Sequence, residues 1–355
     1  MSGLRKIIMM AQQHHHQQQD ENSKYFAIEA LEDGLSVNQK NTVVSINYSL
    51  NGTDWSSGNS TPSINAGQKI YFKGYNVSAK YKFTITKKCN LSGNIMSLLY
   101  GDEAELHTSL GNLSACFSQT FSGCSNIIDA SQLRLPADTL SSQCYQYMFE
   151  NCTSLIAAPS VLPATTLANE CYKNMFIGCS SLKSAPEILA ITLAQGCCMN
   201  MFNKCISLEI APELPATVLA KQCYTGMFNY CSSLKYAPSI LPAKKIEEMC
   251  YRYMFANCTA LEAAPELPAA SLDVTCYDYM FNGSSKLKFI KALFTEAPSS
   301  SRMPNWVSGV SSSGIFVISD FTNFNPDSYR GINGIPSGWQ VYTESEWNDM
   351  NKETA

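Results

Sequence analysis

Cysteine carries the most chemical potential in this 355-residue chain, which holds fifteen of them beside four histidines. Thirteen fall into two columns: Cys116, Cys144, Cys171, Cys197, Cys223, Cys250 and Cys276, then Cys124, Cys152, Cys179, Cys205, Cys231 and Cys258. Thiols in such number can pair as disulfides, act as nucleophiles or hold a soft metal. A nucleophile, however, is one thiol tuned by its own surroundings. A residue type recurring at equivalent places reads as a packing column, because buried free cysteine behaves as a small hydrophobe. Cys198 stands where most other copies carry tyrosine, and it reads as a tolerated substitution. His14–His16 lie in a Gln/His-rich stretch that reads as a flexible tether able at most to chelate adventitiously. His107 alone is left to serve a catalytic constellation. No glycine-rich phosphate loop and no His/carboxylate metal spacing occurs. The expectation is no catalytic residue, no cofactor and no metal.

The elements that must position these columns belong to an internal repeat. The unit CYQYMFENCTSLIAAPSVLPATTLANE begins at Cys144 and returns from Cys171, Cys197, Cys223, Cys250 and Cys276, with a degenerate copy from Cys116. A fixed period in this range indicates units that bury their apolar sides against one another. Cys144, Met148, Cys152 and Leu155 fall at i, i+4, i+8 and i+11, which predicts one face of an α-helix widened by Phe149. Two variable residues, Ala-Pro and then Leu-Pro-Ala follow. They predict a short parallel strand and an extended proline turn. On that reading, cysteines of one helix are about 12 Å apart. Equivalent cysteines of neighbouring helices are ~8–10 Å apart, beyond the ~7 Å reach of a disulfide. Reduced thiols and assembly in a cytosol follow as expectations.

The column pattern resembles the bacterial surface leucine-rich repeats typified by BspA, whose unit reads roughly A-F-x-x-C-x-x-L-x-x-I-x-I-P. Met148-Phe149 through Leu155 matches its first half with Met in place of Ala, and Ala-Pro replaces the usual Ile-x-Ile. The resemblance covers residues 116–296 and extends in kind to flanking segments around 25–55 and 305–339, similar to those of gut anaerobes and their tailed phages. It implies an α/β leucine-rich-repeat solenoid of helix–strand units, and adhesion or recognition rather than catalysis.

Charged residues make up 15% of the chain, the net charge is −4 and no basic stripe occurs, which argues against nucleic acid. No apolar run approaches the ~18 residues of a membrane helix, so no membrane insertion is expected. The chain divides into a tether (1–23), an all-β sandwich-like domain (24–105), about seven repeats (106–296) and a C-terminal β cap and tail (297–355). Alternating segments at 25–31, 42–50, 68–75 and 81–87, with a hairpin signal at Asn51-Gly52, support the β domain. Asn112, Asn151 and Asn257 lie in sequon-like triplets, which the repeat itself explains.

The repeats also supply an internal comparison. Core columns stay constant while the two positions after the leucine vary. The first alternates Lys183, Glu209, Lys235, Glu262, Lys288, a ladder of neutralising charges. The second, with Ile210, Tyr236 and Phe289, is the better contact surface because aromatic anchors dominate recognition. These residues form the candidate binding face for a protein or a host-surface glycan. The composition and tether point to a phage virion component, such as a head or tail fibre or a decoration protein. Its N-terminal segment would join other virion proteins, and a homo-oligomer is among the expected partners. A bacterial cell-surface adhesin is the alternative, and a carbohydrate-active enzyme using the β domain a more distant one.

Overall fold

The computed structural model describes residues 23–40, 46–78, 80–320 and 322–352. Nearly all of the expected tether, with His14–His16, and residues 42–45 of the second expected strand lie outside them. Strands β1 (Phe26–Ala30), β2 (Val37–Gln39), β3 (Asn47–Ser49), β4 (Ser56–Ser57), β5 (Lys69–Lys73), β6 (Phe83–Ile85) and β7 (Cys89–Asn94) come first, then a single helical turn, α1 (Ser97–Tyr100). Strand β8 (Ile127–Arg134) belongs to the first repeat. The main sheet has the order β4-β3-β5-β1-β7-β8, and β2 pairs with β6 as a separate ribbon. Its pairs are antiparallel except the last, where β8 runs parallel to β7. The repeats are thus built onto the edge of the N-terminal sheet, and one buried apolar cluster runs from Phe26 to Trp339.

Within the repeats the strands are fragments: β9 (Val161–Leu162) pairs in parallel with β10 (Glu187–Ile188), and β11 (Lys245–Ile246) with β12 (Ser271–Leu272). Single parallel bridges such as Ala157 to Ser184 and Ile210 to Tyr236 continue the pairing from repeat to repeat. The chain ends in a parallel sheet of β13 (Phe289–Lys291), β14 (Ile315–Ile318) and β15 (Gln340–Thr343), followed by α2 (Glu344–Lys352).

The expected α/β leucine-rich-repeat solenoid is overturned. The only α-helices among the described residues are α1 and α2, and neither lies in the repeats. The protein is mainly β, and the segment expected to be helical is a run of tight turns. The amides of Gln146, Met148, Glu150 and Cys152 each donate to the carbonyl three residues back. Those of Tyr145, Tyr147, Phe149 and Asn151 donate instead to Cys171, Lys173, Met175 and Ile177 of the next repeat, at 2.8–3.1 Å. An α-helix would send every amide four residues back within itself. The turns require positive φ at every fourth residue, seen at Gln143, Tyr147 and Asn151 (φ 60°, 57° and 54°). Among the described residues seventeen non-glycine positions accept this region, at a cost of up to about 1–2 kcal/mol apiece and least for the asparagines, so the stacking must outweigh it. β-branched Thr275, at φ 53°, is the most strained by type. At Gly226 (φ 62°) a Cβ would lie 2.2 Å from Asn200 Oδ1, so the equivalent asparagine of the preceding repeat occupies the space a side chain would need.

The four-residue turn explains the misreading. A step of four residues advances about 400° on a helix, so two such steps drift about 80°, and the three-residue step to Leu155 brings the row back to about 20°, which mimics one helical face. The same four-residue step places Cys144, Met148 and Cys152 on the inner side of successive turns, where all are fully buried.

Stacking is carried by aromatic columns. Phe121, Phe149, Phe176, Phe202, Phe228, Phe255 and Phe281 lie face over face with centroids 5.3–5.7 Å apart. A tyrosine column runs beside it, with Tyr145 on Tyr172 at 5.8 Å and Tyr224 on Tyr251 at 6.1 Å. It is interrupted at Cys198. Phe121 closes one end against Phe26 and Phe83, and Trp306 closes the other against Tyr277 and Phe281.

Candidate recognition face

The cysteine columns are interior. All fifteen thiols are free and buried, and burial pushes most of them up, Cys179 and Cys231 to about 12. Thiolate chemistry at neutral pH is thereby disfavoured. The expected spacing was wrong, because neighbouring repeats hydrogen-bond directly and do not pack as helices. Cys223 Sγ lies 3.6 Å from Cys250 Sγ, far closer than helix packing allows.

The second column has a role the sequence reading missed. From Cys152 onward each thiol donates to the carbonyl of the stacked phenylalanine one repeat before, as Cys179 to Phe149 at 3.0 Å, Cys205 to Phe176 at 3.2 Å and Cys231 to Phe202 at 3.1 Å, while Cys124 donates to Phe83 at 3.2 Å. In the last copy Ser284 does the same to Phe255 at 2.7 Å. That Cys-to-Ser exchange was the available signal, since a purely apolar column would drift to Ala or Val. Cys231→Ser is therefore expected to cost less stability than Cys231→Ala, by up to about 1 kcal/mol, because alanine removes one of two donors to the Phe202 carbonyl, the other being the Cys205 amide at 3.0 Å. Urea midpoints of the two variants decide this, and equal losses would show that the thiol only fills space.

Other chemistry-bearing groups are tied into structure. His107 stacks on Tyr100 with centroids 3.6 Å apart, and no side-chain hydrogen bond to it occurs among the described residues. Asp102 receives hydrogen bonds from Tyr25, from Tyr75 at 2.7 Å and from Lys73 at 3.0 Å. Burial raises its carboxyl, but these donors more than offset that and hold it at about 2. The carboxylate pins the turn after α1 to β5. No group of three or more His, Cys, Asp or Glu residues arranged for a metal occurs among the described residues. A shallow polar hollow of about 210 Å³ opens where Gly196 interrupts a row of Gln143, Glu170 and Gln222. It is smaller than the ~300 Å³ of ordinary small-molecule sites.

The expected contact row is brought together only in part. Ile210 and Tyr236 bridge each other on adjacent repeats; Ile210 is half-buried and Tyr236 is 40% exposed. Ala263 follows, bridged to Phe289 in turn. Phe289, however, is covered by the chain itself, since its ring packs against Trp347 of α2 at 5.2 Å. Lys291 holds that helix with an ion pair to Glu344 at 2.6 Å.

The charged column splits into two pairs, Glu209–Lys235 at 2.9 Å and Glu262–Lys288 at 2.6 Å. Hydrogen bonding to Glu209 raises the Lys235 amine, and the bond from Lys288 lowers the Glu262 carboxyl. Lys183 makes no ion pair among the described residues, and its amide bonds Ile156 O at 2.8 Å. The face left open is therefore Lys183, Glu209, Ile210, Lys235, Tyr236, Glu262 and Lys288, without Phe289.

No protein-family model, curated protein or solved structure matches this chain. The leucine-rich-repeat resemblance thus stands on the motif alone, and the observed turns do not follow its architecture. No helix among the described residues is long and apolar enough to cross a membrane.

Proposed function

We propose that the chain is a non-enzymatic recognition protein, displayed on a phage virion as a fibre or decoration component, whose open face around Ile210 and Tyr236 meets a protein or glycan of the host surface. One observation carries the reading: adjacent repeats hold Ile210 and Tyr236 side by side on a rigid outward edge, framed by the Glu209–Lys235 pair. An anchor fixed by backbone hydrogen bonds loses little entropy on binding. The free, buried thiols are consistent with assembly in a reducing cytosol.

The test has two arms. Mass spectrometry of purified virions should find the chain at structural copy number. Tyr236→Ser should leave incorporation intact and weaken retention on host cells by about thirtyfold, the scale of a hot spot worth ~2 kcal/mol. Absence from virions overturns the placement, and unchanged retention moves the contact face elsewhere.

A further inference from the structure

A second surface follows the Pro turns of the repeats. After each buried alanine (Ala164, Ala190, Ala216) the chain presents two exposed residues, Thr165-Thr166, Ile191-Thr192 and Thr217-Val218. Ile191 and Val218 are 59% and 54% exposed, an unusual degree for β-branched aliphatics placed side by side. Backbone bonds pair the rows two by two, the Asp138 row with the Thr165 row and the Ile191 row with the Thr217 row. Thr165 and Thr166 donate to Asp138 O at 3.0 and 3.1 Å, Thr217 and Val218 donate to Ile191 O at 3.0 and 3.2 Å, and parallel bridges join Thr139 to Thr166 and Thr192 to Val218. The three rows carry no charge.

The ends of this surface are oppositely charged. One repeat before the patch the same position is Asp138, and one repeat after it is Lys244. Both are exposed, and neither has an ion-pair partner among the described residues. The column therefore reads Asp138, Thr165, Ile191, Thr217, Lys244, with residue types symmetric about Ile191 except for the charges, which are complementary. We infer that this face is an isologous interface with a second copy of the chain, running antiparallel about a two-fold axis that passes between the two Ile191 side chains. In that arrangement Thr165 meets Thr217 of the other copy, and Asp138 meets Lys244 at both ends. A parallel arrangement sets like charges opposite each other and is disfavoured. A two-fold contact of this kind closes and does not propagate. With rows at about strand spacing, ~4.8 Å, and ~3.3 Å per residue, the footprint is roughly 20 by 13 Å on each copy, about 500 Å² over both and below the ~1,000 Å² of stable interfaces, so the dimer is weak and transient.

Sedimentation of the full chain over roughly 1–300 µM, a range suited to so small an interface, reads the equilibrium. The wild type should dimerise reversibly, and Ile191→Glu should stay monomeric throughout while melting at the wild-type temperature. Asp138→Lys and Lys244→Asp should each weaken self-association at least about tenfold, the effect of one unfavourable charge contact per end. Mixed together, these two variants should form a heterodimer, because each end then pairs Lys with Asp again. A wild type that is monomeric at the highest concentration, a dimer indifferent to Ile191→Glu, or a mixture that associates no better than its components overturns the proposal.

Discussion

Phe228→Ala is expected to cost about 3–5 kcal/mol, whereas Lys235→Ala, seven residues away, should leave stability essentially unchanged. Phe228 is fully buried, with Phe202 stacked on one face at 5.6 Å and Phe255 on the other at 5.4 Å. Its removal loses the transfer free energy of the ring and leaves a cavity in a column that turns on either side hold rigid. It also breaks two aromatic contacts, each worth about 0.5–1.5 kcal/mol beyond burial. Lys235 is exposed and paired with an equally exposed Glu209, where solvent screening leaves little net attraction. Chemical denaturation of the two variants measures the contrast. Comparable losses would mean that the interior and exterior columns have been exchanged.

The same contrast shows what could be read from the residues alone. The period and the constancy of the Cys, Met, Phe and Leu columns identify the interior without any coordinates, and those side chains are fully buried in every central repeat. What could not be read is the backbone that brings them inward. Cys144, Met148 and Cys152 satisfy a helical stripe and a four-residue turn equally well. Positive φ at Tyr147, Lys204 and Tyr253 leaves no trace in residue types, since none of these is a residue that prefers it. The hint lay in other copies, with Asn151, Gly178, Asn257 and Gly283 at the position of Lys204, and Asn174, Asn200 and Gly226 at that of Tyr147 and Tyr253.

The contact face was legible to a similar depth. Variation after each leucine marked an outward edge, and Tyr236 is on it. Phe289 looked equivalent by position, but the cover that α2 lays over it comes from residues some sixty positions later, through the Trp347 ring and the Glu344–Lys291 pair. Non-local burial of that kind has no periodic signature. The Asp138–Lys244 symmetry was present in the residues, yet it becomes meaningful only once adjacent repeats are known to stand at strand spacing.

Arg252→Gln should be the most pH-sensitive substitution in the protein. Asp278 is almost fully buried, its Oδ2 accepts a 2.8 Å hydrogen bond from Arg252 Nε, and its Oδ1 is a buried atom without a hydrogen-bond partner. Burial pushes the Asp278 carboxyl above its ordinary value, and the charge and hydrogen bond of Arg252 oppose the rise. A raised carboxyl favours the protonated form in the folded state. Its contribution to stability is therefore complete below the unfolded value of about 3.9 and is lost as pH climbs through the folded one. Without the guanidinium the folded value rises further, so the loss at neutral pH deepens. We expect Arg252→Gln to cost about 2–4 kcal/mol at pH 7, somewhat below the full penalty for breaking a buried pair because the guanidinium is a third exposed. The deficit should shrink steadily as pH falls toward about 4. Adding Asp278→Asn to Arg252→Gln should restore most of the stability at pH 7 and flatten the pH dependence, because no charge then remains to be buried. Urea midpoints of the single and double variants between pH 4 and pH 7 provide the measurement. A deficit that ignores pH, or a double variant no more stable than the single one, would show that Arg252 acts through its packing over the Tyr253 ring, 5.0 Å away, and not through the carboxylate.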